Sequence, residues 1–184
     1  MEHLPKSHSG RNASDIAIEA AKTAGDILID RFHDEKKVAW KGKSNIVTDA
    51  DVAAEKAITD LLRNEFPDHG VVAEESGSTD SGGQYTWVID PLDGTNNFVF
   101  GIPLFCVSVS LIRGGEILLG ITYDPIHKEL FYTEEGGGAT LNDSPIAVSR
   151  KDSLEQGLVG FDMGYEMERA AEVLSTASRL WPRM

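Results

Sequence analysis

Residues 107–141 read VSVSLIRGGEILLGITYDPIHKELFYTEEGGGATL, and most of the predicted sheet lies in this stretch. Short runs of β-branched and aromatic residues alternate in it with Gly-Gly, Asp-Pro and Gly-Gly-Gly turns. Such runs, bounded by turn residues, are typical of successive antiparallel strands. The stretch therefore predicts a meander of strands at 107–112, 117–123, 130–133 and 139–141.

Two helical patterns precede the meander, at 13–33 and 49–65, because apolar residues recur there with helical spacing. Thr48 and Asp51 resemble a capping box for the second helix, and we expect Val52 to face the core with Ile58. Further strands are predicted at 71–73 and 87–89. Helices followed by a strand meander indicate the α+β class, with N-terminal helices and an antiparallel sheet.

The pattern changes again near residue 150. The run GLVGFDM at 157–163 predicts a buried strand, and residues 165–180 predict a helix with one apolar face. One strand and one helix cannot cover both faces of that strand. We therefore expect two domains, 1–150 and 151–184, the second an incomplete α/β domain in which the chain is cut off.

The composition narrows the classes of partner and compartment. The 184 residues hold 30 Asp and Glu against 17 Lys and Arg, a net charge of −13, which argues against nucleic acid. Neither a membrane span nor a signal peptide is predicted. A single cysteine, Cys106, suits a cytoplasmic protein, and we expect it to be a buried strand thiol. Residues 46–100 alone hold 11 acids and 2 bases, which is either a solvated surface or a cation site.

The most informative acids lie in residues 87–103, WVIDPLDGTNNFVFGIP. Asp90 and Asp93 follow an apolar run, and the Leu92 carbonyl adds an uncharged oxygen. Such hard oxygen donors suit Mg²⁺ or Ca²⁺ and not zinc. The alternative is that both aspartates only cap backbone donors.

An anion site is predicted beside these acids. Gly94 allows a close backbone approach, and the N–H groups of Gly94 and Thr95 open a short helix. Cation ligands next to an anion site suggest a metal-bound phosphate.

Two further positions extend this hypothesis. Glu74 ends a predicted strand in VVAEESG and is favoured over Glu75 as another metal ligand, although a charged loop is the alternative. Asp51 is expected to accept a hydrogen bond from the Thr95 hydroxyl, so that the pair activates a water molecule, in addition to its capping role.

The strings NIVTDAD (45–51), VVAEESG (71–77), WVIDPLDGTNNFVFGIP (87–103) and YDPIHKELFYTEEGGGATLNDSPIAVS (123–149) resemble the inositol monophosphatase family of Mg²⁺-dependent, lithium-sensitive phosphatases. The resemblance implies a layered α-β-α-β-α sandwich, usually a homodimer. It also implies hydrolysis of inositol monophosphate, or of a related sugar or cyclitol phosphate, by a metal-activated water.

The resemblance assigns roles to individual positions. The implied metal ligands are Glu74, Asp90, the Leu92 carbonyl and Asp93. The implied catalytic residues are Thr95, Asp51 and Glu74. The implied phosphate-binding residues are Asp93, Gly94 and Thr95, with Lys43 in a loop over the site.

One departure from the family pattern leaves alternatives open. The family's W-D-x-A-A-G sequence, whose aspartate completes the second metal site, is missing, so we expect a chain truncated at its C-terminus. Related branches act on fructose 1,6-bisphosphate, histidinol phosphate or phosphoadenosine phosphate. The second hypothesis is a non-catalytic metal-binding or protein-interaction remnant of the same scaffold.

Overall fold

A computed structural model describes residues 4–40, 46–164 and 166–184. The contacts among these residues divide them into two compact units, the first covering 4–40 and 46–146 and the second covering 147–164 and 166–184. Lys43 lies outside the described residues. The division into domains at residue 150 stays a prediction.

The first unit contains the two predicted helices and the predicted meander. Its helices are α1 (Ala13–Phe32), α2 (Asp49–Glu65) and α3 (Thr95–Val99). Its strands are β1 (Val38–Trp40), β2 (Ile46–Thr48), β3 (Gly70–Ala73), β4 (Gly77–Thr79), β5 (Tyr85–Asp93), β6 (Cys106–Arg113), β7 (Glu116–Asp124), β8 (Glu129–Glu134), β9 (Gly138–Leu141) and β10 (Ser144–Ile146). The α+β class predicted from the sequence is confirmed.

The strands form an eight-stranded sheet in the order β10-β9-β8-β7-β6-β5-β3-β4, with β1 and β2 paired separately. Strands β5 to β10 run antiparallel in chain order, as the turn residues predict. The predicted antiparallel sheet also contains one parallel pair, which β3 forms with β5. The chain leaves β3, adds β4 on its outer edge and then returns to begin β5 in the same direction as β3.

The residues of α2 explain why this helix forms and why its first turn is polar. The Thr48 hydroxyl accepts hydrogen bonds from the next turn, and the Asp51 carboxylate accepts one from the Thr48 N–H, so the capping box is confirmed. Buried positions recur every three or four residues from Asp51 to Leu62. Val52 lies one position off that stripe and is 55% exposed, so its predicted place in the core is wrong.

The core lies where α1 and α2 pack on one face of the sheet. Helix α1 buries mostly alanines, and these small side chains let α2 approach closely. Trp87 of β5 and Phe98 of α3 are fully buried in the same core. The sheet ends that carry the candidate site residues are thereby held against the first turn of α2.

The second unit contains α4 (Met167–Leu180) and two short 3₁₀ turns, Leu154–Gln156 and Trp181–Arg183. Residues 157–163 form no strand, and Leu158 is 99% exposed, so the predicted buried strand is wrong. An apolar run becomes a strand only where a neighbour pairs with its backbone groups, and no such neighbour exists in the described part of this unit. The predicted helix forms and begins at Met167.

No helix within the described ranges is long and apolar enough to cross a membrane.

Candidate functional site

The first part of the site is a contact between two helices that are far apart in sequence. Asp51 lies in the first turn of α2 with 1% of its surface exposed, and Thr95 begins α3. The Thr95 Oγ1 lies 3.1 Å from Asp51 Oδ1 and 3.0 Å from the Leu92 carbonyl oxygen. Its single hydrogen can be donated to either acceptor. The structure therefore contains the hydrogen bond that the sequence analysis expects, and the catalytic role of the pair stays a prediction.

The other Asp51 oxygen holds this carboxylate in place. Oδ2 accepts the Thr48 N–H at 2.8 Å and also the Thr48 hydroxyl. The capping box of α2 thus orients Asp51, so that Oδ1 faces Thr95. A buried carboxylate held by three donors is a fixed acceptor rather than a mobile one.

The second part of the site lies at the end of β5. Asp90 pairs with Ser108 and Asp93 with Cys106, so β5 contains one more residue than β6 between these pairs. Residues three apart in a regular strand point to opposite faces, and one extra residue reverses that alternation. The irregularity explains how the carboxylates of Asp90 and Asp93 come to lie within electrostatic range of one another.

The carboxylates of Glu74 and Asp93 each lie within electrostatic range of Asp90. Burial raises the pKa of Asp90 to about 7, with further contributions from the negative charges of Glu74 and Asp93 and from a hydrogen bond with Glu74. The Asp90 Oδ1 also accepts the Leu92 N–H at 3.2 Å. Acids brought together in this way are stabilised by a proton or a cation.

The chemistry of these donors fits Mg²⁺. Carboxylate and carbonyl oxygens are hard ligands, and Glu74, Asp90, Asp93 and the Leu92 carbonyl supply only oxygens. As placed, no three His, Cys, Asp or Glu side chains of the described ranges lie close enough together to hold a metal ion. The structure thus brings the expected ligands into one neighbourhood, and their joint coordination stays a prediction.

Glu55 was missed by the sequence analysis. It lies on α2 with 5% of its surface exposed, and its carboxylate accepts the Glu75 N–H at 2.7 Å and the Ser76 N–H at 2.9 Å. Glu55 therefore contacts the turn at residues 74–76. The signal was present, because an acid four residues after Asp51 shares the helix face that also carries Ile58.

Gly94 occupies a backbone conformation that suits glycine. Its φ is +99°, and a Cβ added there would lie 3.0 Å from the Leu104 carbonyl oxygen and 3.2 Å from the Phe105 Cβ. Glycine at position 94 thus permits both the left-handed backbone conformation and the close approach of residues 104 and 105 to this position.

Replacing Gly94 with alanine is expected to destabilise the protein by about 1–3 kcal/mol, because the residue needs both a positive φ and space that a methyl group would fill. The midpoint of urea unfolding measures this loss. Gly101 provides the control, since it also has a positive φ but nothing within 4 Å of an added Cβ, so its alanine variant should lose less. Equal losses in the two variants would contradict a steric role for position 94.

Asp93 and Gly94 also line a cleft of about 420 Å³, together with Asn97, Asp124 and Glu129. A cleft of this size can accept a small phosphorylated molecule. Cys106 lines it as well, and burial together with the Asp93 charge raises the pKa of its thiol to about 12. The thiol is half-buried and would not ionise at neutral pH, which agrees with its interpretation as a strand thiol and not a nucleophile.

The chain is similar in sequence to known proteins over most of its length. The sequence matches the profile of the inositol monophosphatase family over residues 11–179. Inositol monophosphatase 1 of Solanum lycopersicum is 42% identical over 153 residues, which is 81% of this chain and 56% of that protein. The fructose-1,6-bisphosphatase/inositol-1-monophosphatase of Aquifex aeolicus is 39% identical over 143 residues, 77% of this chain and 54% of that protein.

The fold is also similar to that of a solved structure. The Thermotoga maritima IMPase superimposes with a TM-score of 0.73 at 38% identity, covering 77% of this chain and 56% of that one. An α+β chain with an acid-rich strand end and a Thr-Asp pair thus has the fold of a known phosphatase family. The chain belongs to the inositol monophosphatase family. It spans a little over half the length of the relatives named here.

Proposed function

We propose that the protein is a Mg²⁺-dependent phosphomonoesterase that hydrolyses inositol monophosphate or a related sugar or cyclitol phosphate. The observation that carries the proposal is the hydrogen bond from Thr95 to the buried Asp51 carboxylate, at the end of the strand that carries Asp90 and Asp93. The name of the Solanum lycopersicum relative supports the same reaction class.

The proposed role of Thr95 and Asp51 is to accept a proton from the attacking water. As that water loses a proton to Thr95 Oγ1, Thr95 passes its own proton to Asp51 Oδ1. The water oxygen bonds to phosphorus, and the ester P–O bond breaks with its electron pair on the sugar oxygen. That oxygen takes a proton from water, and Asp51 releases its proton to solvent.

The remaining residues of the site bind and orient. We assign Glu74, Asp90, Asp93 and the Leu92 carbonyl to Mg²⁺, which when bound supplies Lewis acidity that stabilises charge on the phosphate oxygens. Asp93 also belongs to the proposed phosphate site, with the N–H groups of Gly94 and Thr95.

The substrate class extends to related sugar phosphates. The Aquifex aeolicus relative carries both fructose-1,6-bisphosphatase and inositol-1-monophosphatase in its name. Fructose 1,6-bisphosphate is therefore a competing substrate, and the family resemblance adds histidinol phosphate and phosphoadenosine phosphate. Lithium inhibition and a homodimer are further proposals from the family resemblance, and a cytoplasmic location is a further proposal from the single cysteine.

The test is release of inorganic phosphate by the 184-residue chain. With inositol 1-phosphate and Mg²⁺ we expect little turnover by these residues alone and much faster turnover by a chain extended at its C-terminus through the W-D-x-A-A-G aspartate, which completes the second metal site. EDTA should abolish turnover, and excess Mg²⁺ should restore it. Fructose 1,6-bisphosphate, histidinol phosphate and phosphoadenosine phosphate, assayed in parallel, rank the substrates. Mn²⁺ binding without turnover of any of them would favour the non-catalytic alternative.

A further inference from the structure

Glu55 is a buried acid whose charge is met by backbone donors. Its two carboxylate oxygens accept the N–H groups of Glu75 and Ser76 at 2.7 and 2.9 Å. The ion pairs seen among the described residues do not include Glu55. A carboxylate is costly to bury, so these two charge-assisted hydrogen bonds are what stabilise it there.

The contact links two parts of the candidate site through one helix. Asp51 and Glu55 lie four residues apart on α2, which corresponds to a rise of about 6 Å along the helix axis. Asp51 accepts the Thr95 hydroxyl, while Glu55 accepts the turn that follows β3. Helix α2 thus sets the distance between the Thr95 end of the site and the β3 end.

The turn held by Glu55 includes Glu74. Residues 74–76 form the turn between β3 and β4, and Glu55 binds the two N–H groups that come directly after Glu74. The Glu74 side chain is exposed, yet its carboxyl hydrogen-bonds to Asp90. The position of the Glu74 backbone relative to Asp90 therefore depends on what fixes this turn.

We propose that Glu55 is a positioning residue, which holds the 74–76 turn to α2 so that the Glu74 carboxylate stays beside Asp90 as a metal ligand. This inference rests on the proposed function, because it assigns Glu74 to the metal. Glu55 itself contacts neither metal nor substrate. It acts through two peptide groups, in the way that groups behind a metal ligand commonly orient it.

The test compares Glu55→Gln with Glu65→Gln in the whole chain. The introduced glutamine can accept one of the two N–H groups through its oxygen, and its NH₂ group would face the other. Glu65 lies on the same helix, where it accepts the Ser9 hydroxyl at 2.6 Å, so its substitution removes the charge of a hydrogen-bonded carboxylate outside the site. Mn²⁺ binding followed by electron paramagnetic resonance and amide hydrogen exchange are the two readouts.

For Glu55→Gln we expect the Mn²⁺ dissociation constant to rise about 10–100-fold. We also expect faster exchange confined to the amides of Glu75 and Ser76. Glu65→Gln should leave both readouts at their wild-type values, even if its melting temperature falls. An unchanged Mn²⁺ dissociation constant in Glu55→Gln, with or without faster exchange, would overturn the proposal.

Two outcomes distinguish a failure of the metal assignment from a failure of the positioning role. If wild-type protein binds no Mn²⁺, the metal assignment of the proposed function fails and the positioning role falls with it. If wild-type protein binds Mn²⁺ and the variant binds it equally well, only the positioning role fails. Should Glu55→Gln not fold, Glu55→Asp keeps the charge one methylene shorter, and its dissociation constant should still exceed that of the wild type.

Discussion

Thr95→Ala is expected to lower kcat for phosphate release by about 10²–10⁴-fold, the range that positioned proton acceptors contribute. The hydroxyl lies 3.1 Å from the buried Asp51 Oδ1, and alanine leaves that oxygen without a route to the attacking water. Because Thr95 contributes no side-chain ligand to the proposed metal site, the Mn²⁺ dissociation constant should stay close to the wild-type value. Steady-state kinetics and Mn²⁺ titration measure the two quantities.

Thr95→Ser is the matched control, since it keeps the hydroxyl at the first position of α3. It should retain most of the wild-type kcat. A similar loss in the serine and alanine variants would contradict the proton-transfer role. So would parallel losses of kcat and of Mn²⁺ affinity in Thr95→Ala.

Asp90→Asn is expected to remove both activity and measurable Mn²⁺ binding. Asp90 is one of the acids assigned to the metal, and the charges of Glu74 and Asp93 both act on it. Asparagine keeps the oxygen that accepts the Leu92 N–H but loses the charge. Metal-free Asp90→Asn protein should melt at the wild-type temperature or above it, because a repelled, half-buried charge has been removed.

Asp68→Asn, at an exposed position in the loop after α2, provides the control and should change neither affinity nor melting temperature. Thermal unfolding with and without Mn²⁺ measures both expectations. Wild-type affinity in Asp90→Asn would exclude Asp90 as a ligand. A melting temperature several degrees below that of metal-free wild type would show that the carboxylate has a structural role instead.

The sequence anticipated the parts of the fold that depend on near neighbours. Helix α2 has the predicted bounds, because its cap, its apolar spacing and the proline after it are all local signals. The meander from β6 to β9 follows turn residues that lie between the strands they join. The hydrogen bond between Thr95 and Asp51, which was expected from the functional interpretation of the two motifs, joins residues that are 44 positions apart.

The misplaced elements depended on partners distant in sequence. Residues 157–163 have the composition of a strand but no paired neighbour in the described part of their unit, so their backbone stays irregular. Strand β3 pairs parallel to β5 because β4 follows β3 in the sequence and runs back along its outer edge. The chain can then begin β5 in the same direction as β3. A pattern of apolar residues specifies which faces can be buried, and it does not specify what buries them.

The α+β class and the acids worth testing follow from residue types at fixed spacing, and the family follows from the resemblance of four sequence motifs. Only the tertiary structure decided how those acids are held. The extra residue in β5 brings the charges of Asp90 and Asp93 close enough to interact. The Glu55 carboxylate holds the turn at 74–76 by accepting the N–H of Glu75, which is 20 residues later in the sequence. Both depend on hydrogen bonds between segments that only folding brings together, and such pairings leave no periodic signal in a single chain.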